Sequence, residues 1–199
     1  MMRELFSARI YQGHLNLADQ VRAQMIEQAM AFHERLNPDG QPWARKSREP
    51  LIGNSGWPAA FDRLVLELHL VIIQTYGCAP IWQTAREVIT QAGQFIPLHA
   101  EDTDLSAIYW VDGDASPNPE RQDYSGAFVL VNPSGVYGSR KLPWEGWRSE
   151  IIHPKPGMLL VFPSYLAHHS HPYNGTRPSV EIHFEFRVQA LPGENHAHR

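Results

Sequence analysis

Val180-Glu181-Ile182-His183-Phe184-Glu185-Phe186-Arg187-Val188 alternates without a break between apolar and polar side chains. A β-strand turns successive side chains to opposite faces, so this segment reads as a strand with one face buried and one face wet. Upstream, shorter β-rich runs separated by turn residues occupy 158–162, 150–152, 127–131, 105–111, 95–99 and 87–91. Before residue 80 the pattern changes. Val21, Met25, Ala29, Phe32 and Leu36 recur at three- and four-residue spacing and predict a helix, stopped by Asn37-Pro38-Asp39-Gly40. Phe61, Leu64, Val65, Leu68 and Ile72 predict a second helix that starts near Pro58 and ends at Gly77. Helices first and about seven strands afterwards define an α+β chain in which helices pack on a β-sandwich or barrel. The stretches 41–57, 116–119 and 138–148 read as loops, the first ordered because Trp43, Leu51, Ile52 and Trp57 call for burial.

Composition narrows the classes. A chain of 199 residues can bury a core without disulfides or a structural metal, and the expectation is a single domain. Within it, 1–80 is mainly helical support, 81–190 the β core and 191–199 a tail that carries His196 and His198. The single cysteine, Cys78, excludes an internal disulfide and a cysteine-rich zinc cage, and suits a reducing, cytoplasmic compartment. No apolar run approaches the ~18 residues of a membrane helix, and the N-terminus carries no export signal. A formal charge of −4 with both signs mixed gives no footprint for nucleic acid or an acidic membrane. The chain has 11 histidines and 6 tryptophans. Most of the former suit the surface and most of the latter the core, although Trp144 and Trp147 fall in a loop that could flank a pocket.

The chemistry gathers around Gly93-Gln94-Phe95-Ile96-Pro97-Leu98-His99-Ala100-Glu101. In an extended segment residues i and i+2 share a face, so His99 and Glu101 can address one ion from one strand end. Asp102 and Asp104 are close enough to be the carboxylate instead. A third ligand must come from another strand, and Phe162-Pro163-Ser164-Tyr165-Leu166-Ala167-His168 offers one directly after a β-like run. His169 and His171 compete with His168 but fall on the opposite face by alternation. Two imidazoles and one carboxylate with open positions suit iron(II) chemistry with dioxygen. Nine residues past His168 stands Arg177-Pro178-Ser179. A guanidinium fork matches a carboxylate in two charge-assisted bonds, and Ser179, on the same face, adds a hydroxyl. A 2-oxo diacid could then chelate the metal at one end and rest its far carboxylate on Arg177.

The order Gly-x-Phe-x-x-x-His-x-Glu, then Gly126-Ala127-Phe128-Val129, then a distal His, then Arg-x-Ser resembles the iron(II)/2-oxoglutarate dioxygenase superfamily, particularly its prolyl-4-hydroxylase-like branch. Ser55-Gly56-Trp57, Leu105-Ser106-Ala107-Ile108-Tyr109-Trp110 and the run from Pro154-Lys155-Pro156-Gly157 to His168 are similar to a little-characterised family of 2-oxoglutarate oxygenases. The resemblance implies a double-stranded β-helix (a cupin-like jelly roll) with supporting N-terminal helices. It implies metal at His99, Glu101 and His168, and 2-oxoglutarate on Arg177 and Ser179. Relatives mostly carry Asp where Glu101 stands, and often a Tyr where Phe95 stands, so Tyr109 is the phenol expected to serve the cosubstrate. No catalytic residue beyond the metal ligands is required. The activity implied is hydroxylation of an unactivated C–H bond in a small-molecule or peptidyl substrate, by a monomer or homodimer, with iron(II), 2-oxoglutarate and dioxygen. The rival readings are a cupin-like metal enzyme without 2-oxoglutarate, a non-catalytic β-sandwich binding module, and an oxygenase turned cosubstrate sensor.

Overall fold

The computed structural model of the chain describes residues 8–36, 45–46, 59–133 and 149–192. The segments at 1–7, 37–44, 47–58, 134–148 and 193–199 lie outside the described residues. With them go the helix stop at 37–40, most of the 41–57 loop, the 138–148 loop with Trp144 and Trp147, and the histidines of the tail. Helices α1 (Asp19–Leu36) and α2 (Ala59–Tyr76) fall where the apolar spacing predicts. Gly77 ends α2 in the left-handed region at φ 65°, where its N–H closes the last turn onto the carbonyl of Ile73.

Strands β1 (Tyr11–His14), β2 (Arg45–Lys46), β3 (Cys78–Thr90), β4 (Leu105–Asp112), β7 (Met158–Pro163) and β9 (Ser179–Ala190) form a six-stranded sheet in the order β1-β7-β4-β9-β3-β2. Strands β5 (Phe128–Val131), β6 (Ser149–Ile152) and β8 (His168–Ser170) form a three-stranded sheet in the order β6-β5-β8. Every pairing is antiparallel. Contacts between elements place α1 and α2 against β3, β4 and β9, so the helices back the large sheet, and the small sheet packs on its other face. This is the jelly roll with N-terminal helical support. The N-terminal region also contributes edge strands β1 and β2, and β3 starts just after α2, so strand content begins well before residue 87.

Two apolar layers result. Between helices and sheet lie Met25, Ala29, Leu64, Leu68 and Ile72 against Ala107, Tyr109, Ile182, Phe184 and Phe186. Between the sheets lie Ile108, Trp110, Phe128, Leu130, Leu160 and Phe162. Strand β9 supplies the first layer from one parity, and the expected wet face on its other parity holds only at the C-terminal end, where Glu185 is half-buried and Arg187 exposed. Ser179, Glu181 and His183 are only 5%, 6% and 5% exposed, because that face turns toward the small sheet. Polar alternation in the first half of β9 thus marks a lined interior rather than a solvated surface.

One buried charge belongs to the other layer. Glu87 is fully buried, no hydrogen-bond donor among the described residues reaches either of its oxygens, and His33 Nδ1 stands 3.7 Å away. Leaving a carboxylate so poorly served costs more than a well-packed apolar chain of similar volume. Glu87→Met is therefore expected to stabilise the fold by about 1–3 kcal/mol, seen as a higher urea midpoint at unchanged slope. A lower midpoint would show that the carboxylate has a structural partner.

Among the described residues no helix is long and apolar enough to cross a membrane.

Candidate active site

After β3 the chain reverses at Gly93, which takes φ 84°. Residues 93–99 then run antiparallel to 168–173. Gly93 N–H donates to Tyr173, Tyr173 N–H to Gln94, and Ser170 N–H to Ile96. The pairing ends at His99 and His168, which face each other and exchange both backbone hydrogen bonds at 3.0 and 2.8 Å. Their rings lie 4.3 Å apart between centroids. His168 is buried at 1% exposure, with Phe128 and Phe162 beside its ring.

Each imidazole is tied by its own backbone. His99 Nδ1 lies 2.7 Å from the Pro97 carbonyl and His168 Nδ1 lies 2.9 Å from the Leu166 carbonyl. A carbonyl only accepts, so in each ring Nδ1 carries a proton, which leaves Nε2 as the ring atom able to take an ion. Glu101 Oε1 stands 3.2 Å from His99 Nε2, and the ligand atoms of His99, Glu101 and His168 all lie within 4.8 Å of one another. The rivals go elsewhere. Asp102 is exposed, and the Asp104 carboxylate accepts from Val188 N–H. His169 and His171 pack on each other, with His171 also beside Tyr124. There burial and the neighbouring His169 and His153 hold the His171 pKa below its usual value.

Glu101 is held on a pinned loop. Its N–H donates to the Ser164 carbonyl, Ser164 N–H donates to Asp104, and Asp104 N–H to Phe186. The Ser164 hydroxyl, at zero exposure, lies 2.9 Å from those of both Thr103 and Ser106. Backbone and hydroxyl contacts together bind the start of β4 to the ends of β7 and β9, and with them the carboxylate.

From this triad the inward face of β9 leads through the space between the sheets. A recess of about 190 Å³, likewise open to solvent, is lined by Glu101, Ile108, Phe162, His168 and His183. A larger cleft, about 410 Å³ and open to solvent, is lined by Trp110, Asp112, Lys155, His171, Ser179 and Glu181 among others. Between them runs a buried chain of hydrogen bonds, in which the Ser179 hydroxyl donates to Glu181 Oε1 at 3.1 Å and Glu181 Oε2 meets His183 Nε2 at 2.8 Å. Glu181 and His183 are interior residues that reading the sequence misses, and so is the place of half-buried Asp112 on the lining of the cleft. The signal for Glu181 and His183 was the polar parity of β9.

Arg177 stands just before β9. Its Nη1 donates to Asp112 Oδ2 at 2.9 Å and its Nε lies 3.6 Å from Asp114 Oδ2, while 60% of the side chain remains exposed. It is thus a rim residue whose guanidinium meets internal carboxylates, with Ser179 inside the cleft and linked to Asp112 through a long 3.5 Å contact to the carbonyl. Tyr109 requires correction. It lies at zero exposure on the face of β4 turned to the helices, where its hydroxyl approaches the Leu15 carbonyl at 3.3 Å and burial pushes its pKa up to about 12. Strand parity puts Trp110 inside instead.

The turn before β9 is organised by Asp114. It accepts from the Thr176 hydroxyl at 2.6 Å, the Tyr173 hydroxyl at 2.9 Å and Arg177 N–H at 3.1 Å. The Thr176 bond first, then the Arg177 backbone bond, lower its pKa to about 2. A carboxylate depressed in the folded state contributes stability that is present above its unfolded pKa and lost as pH falls through the folded one. Asp114→Asn should therefore flatten the stability profile between pH ~4 and ~2, read by acid denaturation. An unchanged acid limb would contradict this.

No curated protein matches the chain in a sequence search. Solved structures do match. A prolyl-4-hydroxylase from Pseudomonas putida is 22% identical, with 91% of this chain and 93% of that one covered at a TM-score of 0.61. A Trichoplax adhaerens prolyl hydroxylase, solved in complex with a hypoxia inducible factor oxygen degradation domain peptide fragment, is 13% identical, with coverages of 89% and 83% and a TM-score of 0.61. HygX from Streptomyces hygroscopicus, solved with nickel and 2-oxoglutarate bound, is 10% identical, with coverages of 89% and 82% and a TM-score of 0.57. At these identities the likeness establishes the shared fold. The family model described as "Putative 2OG-Fe(II) oxygenase" matches residues 84–185, just over half of the chain and the span from β3 to β9 that holds every side chain of the triad. The chain therefore belongs to that 2OG-Fe(II) oxygenase family, and is an oxidoreductase that takes iron(II), 2-oxoglutarate and dioxygen.

Proposed function

We propose that this oxygenase hydroxylates an unactivated C–H bond of a peptidyl or small organic substrate, holding iron(II) with His99, Glu101 and His168 and the far carboxylate of 2-oxoglutarate with Arg177 and Ser179. The observation that carries the reading is the convergence of three ligand atoms within 4.8 Å, on side chains whose other ring nitrogens are already committed to backbone carbonyls. Two neutral imidazoles and a carboxylate fit iron(II) and leave positions open. Bound iron supplies the activation of dioxygen, coupled to oxidative decarboxylation of 2-oxoglutarate to succinate and CO₂ and to insertion of one oxygen atom into the substrate C–H bond.

The chain's own residues supply the rest. The Pro97 and Leu166 carbonyls fix the ring orientation of the two histidines. Phe128 and Phe162 shield His168 from water. Arg177 offers a guanidinium at the cleft rim, and the Ser179 hydroxyl lies within it. The prolyl hydroxylases among the structural relatives support a peptidyl substrate, and the lone buried cysteine suits a reducing cytoplasm.

The test is calorimetric titration of 2-oxoglutarate into anaerobic, iron(II)-loaded protein, followed in parallel by the visible charge-transfer band of a chelated 2-oxo acid. Binding with the band is expected. Iron binding without 2-oxoglutarate would move the site to a cupin-like metal enzyme, and neither would leave a binding module.

A further inference from the structure

The residue proposed to hold the cosubstrate's far carboxylate already holds a carboxylate of the protein. Two acidic residues reach Arg177, and their situations differ. Asp114 belongs to the turn, with three other hydrogen bonds from Thr176, Tyr173 and the Arg177 backbone. Asp112 has no such second role. Among the described residues its carboxylate meets only the guanidinium, at 2.9 Å, and the same residue lines the cleft beside Ser179. It projects from the end of β4, where the register with β9 slips between Trp110 and Asp112. That irregularity aims the side chain at the rim instead of either apolar layer.

A planar guanidinium forms its strongest pairs with carboxylates, and a ligand carboxylate approaching Arg177 must either displace Asp112 or share the fork with it beside a like charge. We propose that Asp112 is an internal competitor of the cosubstrate, occupying Arg177 in the free enzyme and setting the affinity for 2-oxoglutarate through its distal carboxylate alone. The role is that of a positioning and affinity-setting residue. It rests on the assignment of Arg177 given above.

The dependence on one carboxylate gives the test its control. A 2-oxo monoacid of similar length, such as 2-oxovalerate, has the chelating end and lacks the distal carboxylate. Asp112→Asn keeps the shape, removes the charge and weakens the hold on Arg177. In anaerobic iron(II)-loaded protein, 2-oxoglutarate is expected to bind the variant about three- to tenfold more tightly than the unaltered chain, and 2-oxovalerate equally to both. Asp112→Ser, which cannot bridge to Arg177, should show at least the same gain, and thermal melts confirm that either variant is folded. Unchanged or weaker 2-oxoglutarate binding by both variants overturns the proposal, as does equal tightening of the monoacid. Failure of the unaltered protein to bind 2-oxoglutarate at all defeats the cosubstrate assignment beneath it, a result distinct from either.

Discussion

His168→Ala is expected to lower iron(II) affinity by at least about 100-fold and to reduce 2-oxoglutarate consumption to background. The residue is the buried member of the triad, and its ring is fixed by the Leu166 carbonyl, the tilted His99 ring 4.3 Å away and the flanking Phe128 and Phe162. Alanine removes one of the three ligand atoms that lie within 4.8 Å of one another. His169→Ala tests the adjacent position. It removes an imidazole of the same chemistry from the group around His171, and iron affinity should stay within about twofold. Iron titrations on the two variants decide the matter, and an affinity lost in His169→Ala but kept in His168→Ala would reverse the assignment.

Arg177→Ala is expected to raise the dissociation constant for 2-oxoglutarate by about 10- to 100-fold, the worth of charge-assisted hydrogen bonds that no neighbour replaces. Iron binding in the absence of cosubstrate should not change. Arg177→Lys restores the charge but not the planar fork, and should recover only part of the loss. The measurement is the same anaerobic titration, and equal affinity in the unaltered chain and Arg177→Ala would transfer the carboxylate site to another cation of the cleft, of which Lys155 is the first choice.

Much of this architecture is legible in the chain itself, and the unread parts share physical causes. Helices α1 and α2 were readable because each buries one stripe against one layer. Strand β9 was readable because its alternation is complete. Strands β1, β2 and β8 are two to four residues long, too short for any period to show, and exist because a neighbouring strand offers them hydrogen bonds. The first half of β3, with Pro80 and the mixed run after it, gains its strand character from pairing along the whole length of β9. His99, Glu101 and His168 could be picked out because strand geometry links i and i+2, and because one β-like run delivered the third residue. Tyr109 was misplaced for an equally local reason. Strand β4 is buried on both faces, so no contrast between polar and apolar positions tells which parity meets which layer. Nor could the sequence show that Arg177 would meet Asp112 and Asp114, which depends on where β4 ends beside β9.

Because β9 serves one layer with Val180, Ile182, Phe184 and Phe186 and the other with Ser179, Glu181 and His183, its two parities can drift independently over evolutionary time. Substitutions on one register need no compensation on the other, so the lining of the interior and the packing against the helices can be selected apart. Length cannot drift in the same way. A single inserted or deleted codon within 179–186 would send carboxylates among the helices and phenylalanines toward His99, Glu101 and His168 at once. The genetic signature to look for among descendants of this strand is free exchange of letters at fixed spacing, with no gaps.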